Sequence, residues 1–143
     1  MDITGTYTFN APPTRVWELL MDPATIAACI PGCEQLEPDG ENRYRARLNV
    51  ALAAMTGSYD GTVVLSDMVA PEHYVLTVEG QGRPGFVKGS ATIALRGDGA
   101  TTIIDVKGTM QTGGTIARLG QRLIGSVSKM MQDRFFACLQ GKL

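Results

Sequence analysis

The chain has 143 residues, 44% of them hydrophobic and 19% charged, and a formal net charge of -1. That length suits one domain around one core, and near-neutral charge without a long basic run argues against nucleic-acid binding. No window nears the ~18 consecutive apolar residues a transmembrane segment needs, and Met1-Asp2-Ile3 passes into alternating sequence rather than a secretory signal.

Residues 2–10 alternate, with Ile3, Tyr7 and Phe9 on one side and Thr4, Thr6 and Thr8 on the other, the pattern of a strand with one buried face. Pro12 and Pro13 stop it. Residues 14–21 then read as a short helix with Val16, Trp17, Leu20 and Met21 for burial. A second helix opens at Asp22-Pro23, with Asp22 as N-cap and Pro23 at the first helical position, and ends by Ile30-Pro31-Gly32. From there the period is two. Strands are predicted over residues 33–36, 43–52, 57–66, 73–81, 87–96 and 101–110, separated by turns such as Pro38-Asp39-Gly40 and Gly97-Asp98-Gly99.

After Gly113-Gly114, residues 115–140 run without proline. About 26 residues make one helix of roughly 39 Å. On a 100° wheel Ile116, Gly120, Leu123, Ile124, Val127, Met130, Met131, Phe135 and Cys138 share one side, so the helix must lie on an apolar surface. The prediction is an α+β domain spanning residues 1–143. In it a curved antiparallel sheet of about seven strands wraps a long C-terminal helix, with two short helices after the first strand.

Between these layers lies either a filled core or a cavity. Gly5, Gly57, Gly61, Gly80, Gly82, Gly89 and Gly108 fall on or beside the inward register, and Met130 and Met131 adapt to irregular volumes. Those glycines serve equally to bend a sheet around a packed interior or to leave room for an apolar ligand.

The element order resembles the helix-grip fold of the START/Bet v 1-like superfamily, and particular residues narrow the match. Ala11-Pro12, Val16-Trp17, Asp22-Pro23, Cys29-Ile30-Pro31-Gly32-Cys33-Glu34, the glycines Gly80, Gly82, Gly85 and Gly89 around Phe86-Val87, and the doublet Phe135-Phe136 resemble the carbon monoxide dehydrogenase G-subunit (CoxG) family over essentially the whole chain. The resemblance implies an apolar cavity. It also implies service to an aerobic carbon monoxide dehydrogenase or related molybdenum hydroxylase, through membrane attachment, maturation or binding of a quinone-like acceptor. Longer members carry an apolar C-terminal extension; this sequence ends at Gly141-Lys142-Leu143, so stable anchoring is not expected, leaving at most peripheral contact with the inner membrane face.

The expected ligand site takes Trp17 from the first helix, Tyr59, Val63, Tyr74, Leu76 and Ile93 from the strands, and Val127, Met130 and Met131 from the long helix. Ile30, Phe86 and Leu123 stand near its entrance. Tyr7, Tyr44, Tyr59 and Tyr74 are the polar handles on the inward register, each able to serve a ligand carbonyl or simply reach the rim. Catalytic machinery is not evident, since His73, the single histidine, sits at a strand start on the polar side. Cys29 and Cys33 lack further nearby ligands for a metal. With Cys138 they form an odd set of three, read as free structural thiols in a reducing cytoplasm. No metal or cofactor is called for. Phe136, on the polar side of the wheel, would mark a homodimer, partner or membrane contact, and the outward row Arg43, Arg45 and Arg47 is either a solvated face or a dock for an acidic partner. The expectation is a non-catalytic protein holding a small hydrophobic molecule, a quinone or lipid. Its rivals are a cyclase- or dehydratase-type enzyme and an adaptor with a filled core.

Overall fold

The computed structural model describes residues 1–51 and 55–143. Alternation gives seven strands: β1 (Asp2–Phe9), β2 (Cys33–Pro38), β3 (Arg43–Val50), β4 (Gly57–Val69), β5 (His73–Gly82), β6 (Gly85–Gly97) and β7 (Thr102–Gly113). They form one antiparallel sheet in the order β1-β7-β6-β5-β4-β3-β2. Strands β2 to β7 follow one another as an antiparallel meander. The chain reaches the opposite edge from β1 through two short helices, α1 (Pro13–Met21) and α2 (Pro23–Cys29). Proline begins each helix, and Asp22 stands at the N-cap of α2, where its carboxylate accepts the Thr25 hydroxyl at 2.6 Å. The predicted strand end at Leu52 lies outside the described residues.

The closing helix differs from the single predicted rod. Gly114–Leu119 forms a 3-10 turn, Gly120 breaks the path with φ +85°, and α3 runs only over Gln121–Gln140. A positive φ suits glycine and interrupts helical hydrogen bonding. That kink gives the 3-10 segment its own direction, so Ile116 is buried off the line of the α3 stripe, beside Ile124.

The buried stripe of α3 is also rotated. It centres on Ile124, Phe136 and Leu139, the buried residues of this helix. Phe136, predicted to face outward, is 5% exposed. Its ring stacks on Tyr7 with centroids 4.3 Å apart and meets Phe9 edge-on at 6.2 Å. The wheel failed here because it was centred on a helix beginning six residues too early and could not include the aromatic ledge of β1, against which α3 docks. Phe136 is therefore a core residue, not a contact for a partner or membrane.

A second correction concerns the cysteines. Cys29, at the end of α2, and Cys138, in the last turn of α3, are joined by a disulfide across 109 residues of sequence, with Cα atoms 5.4 Å apart; Cys33 alone is free. The pairing exists because α2 and α3 pack side by side, a tertiary fact that spacing cannot reveal.

Candidate ligand-binding site

The inner face of the sheet carries two separate apolar clusters. The larger gathers Phe9, Val16, Leu20, Leu65, Tyr74, Ile93, Leu95 and Ile104 with Cys29, Phe136 and Leu139, under α1, α2 and the C-terminal half of α3. The smaller contains Tyr59, Ile116 and Ile124, flanked by half-buried Leu48, Val50, Met55, Val87, Met110 and Leu119. Val63, Val78, Val127 and Met131 belong to neither cluster and are only half-buried, although the strand pair points inward and the helix pair lies along the inner side of α3.

Register explains the interval. Gly61 pairs with Gly80, Val78 with Gly89, Ala91 with Gly108, and Gly108 with Ile3. A band almost free of side-chain bulk thus crosses the sheet diagonally from β4 to β1. At Gly80 a Cβ atom would meet nothing within 4 Å, so the space above the band is open there. At the β1 end of the band a cavity of about 190 Å³ lies between β1 and α3, lined by Met1, Ile3, Gly125, Ser128, Lys129 and Gln132 among others. Gln132 Oε1 is buried without a hydrogen-bond partner and rests against Gly5, whose lack of a side chain makes room for it.

The tyrosines divide by their hydroxyls. Tyr7 donates to Asp133 Oδ1 at 2.6 Å and accepts from Lys129 Nζ at 3.2 Å. The Tyr7 and Lys129 hydrogen bonds hold the Asp133 carboxyl below the usual range. Tyr59 donates to the Met55 carbonyl at 2.7 Å. Tyr74 is 5% exposed and packs edge-on against Trp17 with centroids 5.6 Å apart. Burial drives its phenol far above the ordinary value, so it is a neutral donor at any physiological pH. Among the described residues no side chain or backbone group accepts its proton, and its oxygen, unlike Gln132 Oε1, is not among the fully buried unpartnered atoms.

The other expected site residues scatter. Trp17, Leu76 and Ile93 belong to the larger cluster or pack against it, and Tyr59 to the smaller. Half-buried Ile30 caps α2. Leu123 is 44% exposed, as is Phe86. Phe86 lies on the opposite register from Val87, with its ring across Gly113. Met130 departs from the expectation, lining an exposed groove of α3 with Arg122, Ser126 and Arg134, as the rotated stripe requires. On the outer face Arg43 pairs with Asp39 at 3.4 Å and Arg47 with Asp60 at 3.1 Å, while Arg45 stands exposed between them. Among the described residues no three His, Cys, Asp or Glu side chains gather as metal ligands, and no helix is long and apolar enough to cross a membrane. Val78, Gly80 and Gln132, which border this interval, were not among the expected site residues. Alternation in β5 already pointed Val78 inward, but only the strand register brings Gly80 beside Gly61.

A seven-stranded antiparallel sheet around a C-terminal helix, with two short helices bridging its edges, defines a helix-grip domain of the START type. Solved structures share that fold at low identity. The Zhui aromatase/cyclase from Streptomyces sp. R1128 is 18% identical with TM-score 0.68, covering 99% of this chain and 92% of its own. A START superfamily protein from Mycobacterium smegmatis is 8% identical with TM-score 0.74, covering 99% and 95%. Within that class the chain belongs to the carbon monoxide dehydrogenase CoxG family, whose sequence profile matches residues 5–143. A conserved protein from Geobacillus kaustophilus is 35% identical with TM-score 0.97, covering 99% of this chain and 94% of its own. No curated protein matches by sequence. Family membership links the chain to carbon monoxide dehydrogenase.

Proposed function

We propose that the domain is a non-catalytic carrier that holds a small hydrophobic molecule, a quinone or lipid, in the interval between its two apolar clusters. In this role it serves a carbon monoxide dehydrogenase-like molybdenum hydroxylase, by delivering an electron acceptor or by assisting recruitment or maturation. The observation that carries this reading is the glycine band from Gly61 to Gly108, facing apolar side chains left half-buried on both layers. Half-buried Val63, Val78, Val127 and Met131 lose much of the roughly 1.5–3 kcal/mol each would gain from full burial, and an apolar ligand would recover it. The Tyr74 hydroxyl, without an acceptor among the described residues, supports a ligand with a hydrogen-bond acceptor, and the orphaned Gln132 oxygen supports a donor or a bound water at the β1 end. Docking on the oxidoreductase would use the outer face around Arg45, whose charge is not neutralised by an ion pair among the described residues. An enzymatic role, suggested by the aromatase/cyclase neighbour, would need a second proton-transfer group beside Tyr74; its cluster among the described residues is apolar. Native mass spectrometry of gently purified protein, followed by solvent extraction, tests the carrier reading. A copurifying hydrophobic molecule displaced by added quinone or fatty acid is the expected result. Protein that is empty and takes up no hydrophobic probe would reject it.

A further inference from the structure

The bond between Cys29 and Cys138 has a location that couples it to the interior. Helix α3 is pinned at its N-terminal end by Ile124, which joins Ile116 in the smaller cluster, and at its C-terminal end by Phe136 and Leu139. Between these pins Val127, Ser128 and Met131 are half-buried over the glycine band, and the polar side of the helix is tied to β1 through Lys129 and Asp133 at the Tyr7 hydroxyl. Gly120, at φ +85° and with no atom within 4 Å of a Cβ placed there, provides a pivot at the start of α3. A 20-residue helix is a lever of about 30 Å, so a rotation of about 10° at the pivot moves its far end about 5 Å. The disulfide sits at that far end, within the last turn of the lever.

What it ties α3 to is firm. The C-terminal end of α2 is fastened to the sheet by Asn49 N–H donating to the Gly32 carbonyl at 2.8 Å and by Cys33 N–H donating to that of Ile30 at 3.1 Å. Ile26 and Thr25 bury its inner side. With the bond closed, α3 cannot lift from α2; with it open, the motion is opposed by the packing of Phe136 and Leu139 and by the bonds of Asp133 and Lys129 to the Tyr7 hydroxyl, all non-covalent. Cys29 is 3% exposed, whereas Cys138 is half-buried and so is the sulfur a thiol reagent meets first. Cys33 does not compete: its thiol donates to the Gln35 carbonyl at 3.4 Å, and burial raises its pKa.

We infer that the Cys29–Cys138 pair is a thiol-operated latch on α3 that sets how fast a hydrophobic ligand enters and leaves the interior. The inference rests on the carrier reading above. Chemically, the thiolate of a small thiol such as glutathione attacks Cys138 Sγ, forms a mixed disulfide there and releases Cys29 as a thiolate, which takes up a proton. A second thiolate then displaces Cys138, so one protein disulfide becomes two thiols as two small thiols become one disulfide. Oxidised glutathione runs the sequence backward.

The test uses the full chain and cis-parinaric acid as a fluorescent apolar probe. Air-oxidised protein, checked for one disulfide by mass after alkylation, is compared with dithiothreitol-treated protein and with a C29A/C138A variant. Circular dichroism monitors the fold, so a misfolded variant leaves the two states of the unmutated protein to decide. Probe dissociation is expected to be roughly tenfold faster in the reduced protein and in the variant, as local opening is released. The variant should not respond to thiol, and the pair should interconvert across a glutathione redox series. Equal dissociation rates in the two states, a pair that stays unbonded in air, or a bond that glutathione cannot open would each overturn the latch while leaving the carrier reading intact. No probe bound in either state would instead remove the carrier reading, and the latch with it.

Discussion

The two ends of the inner face are built from the same alternating strands, yet they solve different problems. At the end capped by α1 and α2, Phe9, Leu20, Ile104, Val16 and Leu139 are almost fully buried, and Phe136 completes an aromatic group with Tyr7 and Phe9. A buried hydroxyl even secures the corner, since Thr102 donates to the Ala11 carbonyl at 2.7 Å. At the other end three buried residues, Tyr59, Ile116 and Ile124, are surrounded by half-buried neighbours, and the segment that supplies Ile116 is flanked by Gly114 and Gly120, both at positive φ. One end concentrates stability. The other is sparsely packed beside a glycine band that is open at Gly80, which suits a domain that stays folded while its interior admits a guest.

That contrast can be broken by substitution. The largest effect is expected for Phe136→Ala, which empties the aromatic group and should cost about 3–5 kcal/mol in chemical denaturation; a loss below about 1 kcal/mol would mean that Phe136 is not in the core. Ile116→Ala should cost less, about 2 kcal/mol, at the low end for such truncations because a small cluster beside a glycine-flanked segment can collapse. Equal losses at the two positions would erase the distinction between the ends. Gly80→Leu should leave the melting temperature nearly unchanged, since its Cβ meets open space. It should weaken binding of cis-parinaric acid more than about tenfold, roughly 1.4 kcal/mol, by filling the interval; unaltered binding would place the ligand elsewhere. The smallest effect concerns Asp133, whose pKa is lowered by the Tyr7 hydrogen bond first and Lys129 next. A lowered folded-state pKa gives stability that is present above the unfolded value and lost as pH falls through the folded one. The melting temperature should therefore drop below about pH 4, and Asp133→Asn should flatten that part of the curve.

Much of the fold was legible because strands and short helices announce themselves locally. Tyr74-Val75-Leu76-Thr77-Val78 alternates, Asp22-Pro23 starts a helix, and Gly97-Asp98-Gly99 turns the chain, each for reasons confined to a few residues. The candidate site was only partly legible. Val63 and Val127 were correctly aimed inward, but the interval they face depends on Gly61 meeting Gly80 across two strands. Met130 and Phe136 were misassigned because a wheel is known only up to its phase, and docking partners set that phase.

Element order, the antiparallel meander and the apolar face follow from the order of residues alone, since periodicity and turn chemistry act over short stretches. Likeness to the CoxG family was equally visible in local motifs, and the family match bears it out. Three facts belong to the folded chain instead: Gly120 separates Ile116 from α3, Phe136 stacks on Tyr7, and Cys29 is bonded to Cys138 across 109 residues. They arise where distant segments compete for one surface, and the winner is settled by the total area and geometry each buries, a quantity that no local pattern contains.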